Sequence, residues 1–489
     1  MKFREIIGQK WFIVISAALA FTIVHILLFP VFFASVDEHE YLKNSFLIQT
    51  GSLAEPDPTL VCTGDFNGSG YVSHFFIGRS LFLIPFTPFG FNAVMLSGLV
   101  IHLTNLFIFY RILKRLGYDP IYSILYLLYP AFFWEARTLN SEILVLTAIF
   151  SGVLFYLSRS RLEKFSLRLF KSPFLLSGLS FGLAALVRYE SIILSFPFFL
   201  VPLVKDRKKF LSMLAGFIPV LLLILWANSL FYGGILSTGY GNPFTQVTEI
   251  GSNPHFWSNL GKFILLLSIA YPLMVFSPLF QKTLRTEILL STILFLVFYS
   301  ENASVAVFPT FHPSAFTAQL RYVIPLVGLL LISYPPFVER ALKRIPIKKS
   351  LVLGAFFLAL FSVFVLASII HSNFLNDRYS IFSHIYSNTP DGSLLIGSAD
   401  DCNYVLNEMF PDRYYLNVKS PLLKSYMNNF SNVYLLDISY STVDPTTERG
   451  AVAVAERQAI KSFISSHSSM VPVYSTEKPH HLWIYRLKP

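Results

Sequence analysis

Charge is what this chain has least of. Only 13% of its 489 residues are Asp, Glu, Lys or Arg, while 54% are hydrophobic and the mean hydropathy is +0.57. A soluble domain of this length carries roughly 25% charged residues, so that class is excluded. The chain has only two cysteines, and no His/Cys cluster has the spacing of a zinc site. A Gly-rich phosphate loop is missing as well, because Gly397-Ser398-Ala399-Asp400-Asp401 lacks the G-x-G-x-x-G spacing. No internal repeat is found, and repeats are common in transporters.

What is present is a succession of apolar runs, near 11–34, 91–110, 118–134, 143–157, 173–187, 191–204, 210–232, 263–280, 288–299, 323–338 and 351–371. They predict a polytopic α-helical membrane protein of about 11 spans. Several are shorter than the roughly 20 residues of a full crossing, which implies polar flanks, local thinning or re-entrant segments. The first run is too long for the apolar core of a signal peptide, and no small-x-small cleavage site follows, so it reads as a retained span. Leu81 to Phe89, broken by Pro85 and Pro88, reads as interfacial.

Lys and Arg test this arrangement, since they collect on the cytoplasmic side. They cluster at the amino terminus and at 111–115, 159–171, 205–209, 282–285 and 340–349, whereas the alternate side before residue 372 holds only Lys43, Arg79, Arg137, Arg188, Lys262 and Arg321. The amino terminus is therefore expected in the cytoplasm, and everything beyond about 372 outside. The net charge of +10 is then mostly orientation signal and contact with anionic membrane lipids, and nucleic acid is not needed to explain it.

This topology puts Val36-Asp37-Glu38-His39-Glu40-Tyr41 at the outer mouth of the first span, opening a loop over about 35–80. A single carboxylate there is most simply a solvated rim. Three arginines on the same side change the balance: Arg137 in Glu135-Ala136-Arg137-Thr138-Leu139-Asn140-Ser141-Glu142, Arg188 in Arg188-Tyr189-Glu190, and Arg321 in Arg321-Tyr322-Val323-Ile324-Pro325. Guanidinium forks at membrane depth suit a lipid phosphate, which they bind in bidentate fashion. The competing explanation is pairing with nearby acids, Arg137 with Glu135 or Glu142 and Arg188 with Glu190.

An outer loop opening Asp-Glu, an Ala-Arg-x4-Glu junction, a Leu-x-Arg-Tyr hairpin tip and a late Arg-Tyr-x-x-Pro together resemble the GT-C membrane glycosyltransferases. More narrowly, the chain is similar to the protein O-mannosyltransferase and aminoarabinose-transferase group, which uses polyprenyl-phosphate sugars. The resemblance covers roughly residues 10 to 375 in order and topology. It implies Asp37 as the general base that takes the acceptor hydroxyl's proton, with Glu38 beside it as the motif's second carboxylate. It implies inversion at the anomeric carbon and a donor phosphate held by Arg137, Arg188 and Arg321, with Glu142, Tyr189, Glu190 and Tyr322 in support. The family's Pro-rich and aromatic stretch near the loop's end is replaced here by Gly70 to Arg79. Within it, His74 and Arg79 are candidates for donor phosphate, while a hydrogen bond inside the loop accounts equally for a lone histidine. His312 is read in the same way.

No cofactor is required on this reading. A divalent cation is compatible with the hard oxygens of Asp37, Glu142 and Glu190, although no spacing demands one. Cys62 and Cys402 both map outside, where a disulfide persists, and a staple or two free thiols both stay open. Asn67-Gly68-Ser69, Asn302-Ala303-Ser304 and Asn429-Phe430-Ser431 are outer sequons. From about 385 to 489 short strands alternate with helices: 394–397, 414–416 and 433–436 read as strands, 401–409, 420–429 and 449–466 as helices, and 471–474 with 482–485 as a hairpin. That pattern predicts a small extracytoplasmic α/β domain with a largely parallel sheet, following a transmembrane domain over 1–375. Asp400 and Asp401 read as caps of the next helix.

The expectation is thus an integral glycosyltransferase of a cytoplasmic or ER-type membrane, taking a polyprenyl-phosphate sugar donor and a lipid, glycan or protein acceptor. The alternative class is a transporter or non-enzymatic lipid-binding protein. Polar residues gathered at one outer face, without repeats, favour the enzyme.

Overall fold

The computed structural model describes residues 3–52, 54–62, 64–158, 172–239, 253–302, 313–343, 349–406, 413–439, 448–467, 470–477 and 481–487. The basic loop 159–171, His312 and the remainder of the sequon that begins at Asn302 lie outside them. The chain divides into two compact units, one of Met1–Phe29, Phe76–Arg79 and Asn92–Ser372, the other of Pro30–Phe75, Ser80–Phe91 and Asn373–Pro489. The first outer loop therefore packs with the carboxy-terminal segment in one body.

The first unit is helical. Its principal helices are Phe3–Leu27, Gly90–Arg115, Glu142–Tyr156, Pro173–Val187, Ser191–Lys205, Arg207–Tyr232, Phe256–Ala270, Arg285–Asn302, Pro313–Leu342 and the first part of Lys349–Asn388. Among the described residues, four stretches are long and apolar enough to cross a membrane: Thr87–Arg115, Arg207–Tyr232, Arg321–Leu342 and Gly354–Asn388. The run 118–134 differs from its expected single span. It forms a 3-10 turn Pro120–Ser123 and two short helices, Ile124–Leu127 and Pro130–Glu135. Pro130 explains the break, because it forces the preceding Tyr129 into extended backbone (φ −77°, ψ 113°).

Helix Arg207–Tyr232 is apolar on both faces. Met213, Val220, Ile224 and Ala227 are buried against neighbours, whereas Leu211, Ile218, Leu222, Trp226 and Leu230 are exposed. A continuous exposed apolar face on a helix of this length suits hydrocarbon rather than water. The packed face depends on the lack of side chains. A Cβ at Gly216 would lie 2.0 Å from the Leu175 carbonyl oxygen, and one at Gly178 would lie 1.8 Å from that of Met213. Small residues let these backbones touch, which is how helices associate where hydrophobic burial no longer drives them together.

The second unit holds helix Val36–Gln49, the hairpin β1 (Asp65–Phe66) and β2 (Tyr71–Val72), and a five-stranded sheet. Its strands are β3 (Ser393–Gly397), β4 (Arg413–Asn417), β5 (Val433–Ser439), β6 (Val471–Thr476) and β7 (His481–Arg486), in the order β4-β3-β5-β7-β6. β3 runs parallel to β4 and β5, while β7 is antiparallel to both β5 and β6. Alternate residues of β3, which is flanked by β4 and β5, serve two cores. Leu395 packs on one face with Ile381, Phe382 and Ile385 from the end of helix Lys349–Asn388, and Leu394 and Ile396 pack on the other with Ile460 of helix Glu448–Ser466. Being covered on both faces explains why β3 is apolar at successive positions. Asp401 caps the 3-10 turn Ala399–Tyr404, its Oδ2 accepting from Ser398 N at 2.7 Å.

Candidate functional site

In the first unit, charge gathers where three segments meet. Glu142 is the first residue of helix Glu142–Tyr156, where the helix dipole favours a carboxylate. Arg188, Tyr189 and Glu190 make the turn between helices Pro173–Val187 and Ser191–Lys205. Arg321 and Tyr322 belong to helix Pro313–Leu342. Four residues after Arg321 comes Pro325, which has no N–H to give the Arg321 carbonyl, so the helix is locally open at this point.

The pairing is specific. Arg188 Nη1 donates to Glu142 Oε1, and its Nη2 donates to Glu190 Oε1 at 3.0 Å. Arg321 Nε lies 3.7 Å from the same Glu142 oxygen. The Tyr322 ring meets both cations, 5.7 Å from Arg188 Cζ and 4.9 Å from Arg321 Cζ, and its hydroxyl accepts from Arg321 Nη2 at 3.1 Å. Glu142, Arg188, Glu190, Tyr299, Tyr322 and Pro325 line a narrow, open pocket. Two guanidiniums and two carboxylates thus balance in charge at a cavity wall, and a phosphate entering there would compete with a carboxylate for the arginines.

The other two expected arginines are held differently. Arg137 is fully buried. Its Nη2 donates to the Leu28 carbonyl, its Nη1 lies 3.2 Å from His371 Nδ1, and its Cζ sits 5.3 Å from the Phe133 ring. The expected pairing with Glu135 or Glu142 does not form: Glu135 instead accepts from Asn140 Nδ2 at 3.2 Å, and Glu142 serves Arg188. Arg79 is also fully buried, its Nε donating to the Leu139 carbonyl at 2.8 Å. Beside the turn, Tyr189 hydrogen-bonds Asn228 Oδ1 and packs on Phe76 with ring centroids 3.9 Å apart.

In the second unit, the acidic cluster lies on helix Val36–Gln49 rather than in an irregular loop. Asp37 is half-buried in its first turn. Glu38 Oε1 accepts from the backbone N–H of Ala34 at 2.8 Å and of Ser35 at 3.0 Å, so this carboxylate ties down the start of the helix. Glu40 lies in the stretch where a single carboxylate reads from the sequence as a solvated rim, but it is 1% exposed, because the helix turns it inward. His39 beside it is equally enclosed, and burial, reinforced by Lys43, lowers its imidazole to about 3 and keeps it neutral. Lys43 reaches Glu55 at 3.5 Å, and His74 is half-buried at the end of the loop. Of the two cysteine alternatives, the structure has the disulfide: Cys62 and Cys402 are bonded, with Cα atoms 5.6 Å apart.

Sequence reasoning brought out Glu142, Arg188, Glu190, Arg321 and Tyr322, which do share one cluster. It missed Tyr299 in the cavity wall and His371 against Arg137. Neither stands in a local pattern that marks it, since each reaches its partners only through helix packing.

This is a polytopic membrane protein with the GT-C fold. No family model matches the chain, and a search of curated proteins returns no match. Solved structures do match. ArnT from Cupriavidus metallidurans bound to undecaprenyl phosphate is similar at TM-score 0.56 and 10% identity, over 97% of this chain and 98% of that one. The oligosaccharyltransferase of Archaeoglobus fulgidus in its apo form is similar at TM-score 0.54 and 13% identity, over 93% of this chain and 72% of that one.

Proposed function

We propose that the protein is an integral membrane glycosyltransferase that moves a sugar from a polyprenyl-phosphate carrier to an acceptor hydroxyl at the extracytoplasmic face. The observation that carries the reading is the Glu142–Arg188–Arg321 cluster at a cavity wall, on a fold shared with a protein solved with undecaprenyl phosphate. In this reading the amino terminus is cytoplasmic, and Asp37 and the arginines serve the outer side.

The chemistry follows from the groups. Asp37 takes the proton of the acceptor hydroxyl as its oxygen bonds to the anomeric carbon, while the bond from that carbon to the phosphate oxygen breaks on the opposite face, so configuration inverts. A positioned base of this kind contributes about 10²- to 10⁴-fold. Arg188 and Arg321 receive the charge that develops on the departing lipid phosphate, in part by exchanging carboxylate contacts for phosphate contacts. Tyr322 keeps both guanidiniums oriented. Arg137 and Arg79 act by holding helix ends that carry this site. No cofactor is needed on this reading, and activity unchanged by a chelator is the expected result.

The test is incubation of the purified protein with a panel of polyprenyl-phosphate sugars, following donor loss. Asp37→Asn is expected to lower turnover by about 10²-fold or more while retaining donor binding. Full activity in that variant overturns the assignment of the base. Donor binding without any turnover across the panel would favour a lipid-binding protein instead.

A further inference from the structure

Buried groups that this reaction does not use converge in the second unit. His39 and Glu40 are consecutive on helix Val36–Gln49 and each is 1% exposed. Cys62 joins them from the first-loop segment, and one ligand atom from each of the three lies within 4.8 Å of the others. Cys402, fully buried, is bonded to Cys62 across a sequence separation of 340. Neither ring nitrogen of His39 has a hydrogen-bond partner. A buried imidazole in that state has lost its water without replacement, which is unfavourable unless something else uses its lone pair.

We propose that this corner has two alternative closures: the Cys62–Cys402 disulfide when oxidised, and one Zn²⁺ held by His39, Glu40, Cys62 and Cys402 when reduced. The donor set is two thiolates, one imidazole and one carboxylate, the mixed S, N and O ligation that zinc accepts. Thiolates exclude Mg²⁺ and Ca²⁺, which take oxygen. Zinc bonds of about 2.0–2.3 Å place tetrahedral ligand atoms about 3.3–3.8 Å apart. The observed 4.8 Å limit therefore requires a small contraction, and the two sulfurs separate once their bond is broken.

The step balances. A dithiol reductant supplies two electrons and two protons to the disulfide and ends as its own disulfide; Zn²⁺ then displaces the two thiol protons. The neutral His39 contributes a lone pair and Glu40 its negative charge. The assembled site carries one net negative charge, and Lys43, one turn further along the same helix and already shared with Glu55, is the nearest cation on that helix. Either closure ties helix Val36–Gln49 or its neighbouring loop to the segment that bears Cys402.

The test uses the full chain in detergent, oxidised or reduced with a phosphine that is then removed under anaerobic conditions. Zinc retained after desalting is measured by metal analysis, and Co²⁺ is the spectroscopic probe. The chain has only two cysteines, so any thiolate-to-Co²⁺ charge-transfer band reports on this pair alone. The expected result is one Zn²⁺ per reduced chain and none per oxidised chain. Stoichiometric binding should be lost in Cys62→Ser and in Cys402→Ser, and the Co²⁺ spectrum altered in His39→Ala and in the gentler Glu40→Gln. Thermal midpoints of the oxidised His39→Ala and Glu40→Gln proteins check that each folds. A reduced chain that retains no zinc overturns the proposal, as does a Co²⁺ spectrum indifferent to both substitutions or equal zinc binding by the oxidised form. None of these outcomes bears on the glycosyltransferase reading.

Discussion

Arg188 and Arg137 are both arginines at the ends of apolar segments of the first unit, yet the fold treats them in opposite ways. Arg188 sits between two carboxylates, Glu142 and Glu190, beside a cavity. Arg137 is sealed in with a carbonyl, an imidazole and an aromatic face, and no carboxylate among the described residues pairs with it. The first arrangement is matched in charge but exchangeable, because an incoming anion can replace a carboxylate. The second has its hydrogen bonds directed at groups that do not leave. Similar residues in similar sequence contexts therefore divide into a pair that shares Glu142, Arg188 with Arg321, and a sealed-in cation held by neutral groups.

Substitutions can break that comparison. The largest effect is expected for Arg188→Ala, which leaves the buried Glu142 with only its long contact to Arg321 and the half-buried Glu190 without its cation, and costs about 3 kcal/mol of stability. Adding Glu190→Gln to it should recover part of the loss, and thermal unfolding of the single and double variants measures this. If the single substitution proves harmless, the cluster does not hold the turn.

Arg137→Ala is expected to cost less, about 1–3 kcal/mol, from the hydrogen bonds lost by Leu28 and His371. Donor affinity measured in that variant should keep the parent's dependence on salt. A weakened, salt-sensitive affinity would move Arg137 into the phosphate site with Arg188. The smallest stability change is expected for Arg321→Ala, about 1 kcal/mol, because its 3.7 Å contact is long and Arg188 still holds Glu142. Its donor binding should nevertheless fall, and most strongly at low salt. Unchanged affinity there would leave Arg188 as the sole phosphate ligand.

The apolar runs were readable because each is a one-dimensional record of where hydrocarbon or packed helix surrounds the chain. The strands of the second unit were readable for a similar reason, since Leu394-Leu395-Ile396 can be apolar throughout only if both faces are covered. The run 118–134 misled, because hydropathy does not register what Pro130 does to the backbone before it. Glu40 misled as well. In an irregular loop it would be a solvated rim, but residues 36–49 form a helix and turn it inward.

Composition and local pattern alone determined that this chain is a polytopic membrane protein, which acids and arginines stand at the ends of its apolar runs, and that strands and helices alternate after residue 385. Those are properties of neighbours in sequence, and neighbouring residues set hydropathy, capping and strand alternation. Only the tertiary structure decided that Arg188 joins Glu142 while Arg137 joins His371, and that Cys62 meets Cys402, His39 and Glu40. Each of these partnerships except the last spans segments joined by helix packing, and the last spans 340 residues of chain. Burial then sets what each group does, because a charge withdrawn from water must be met by whatever side chain the fold brings beside it.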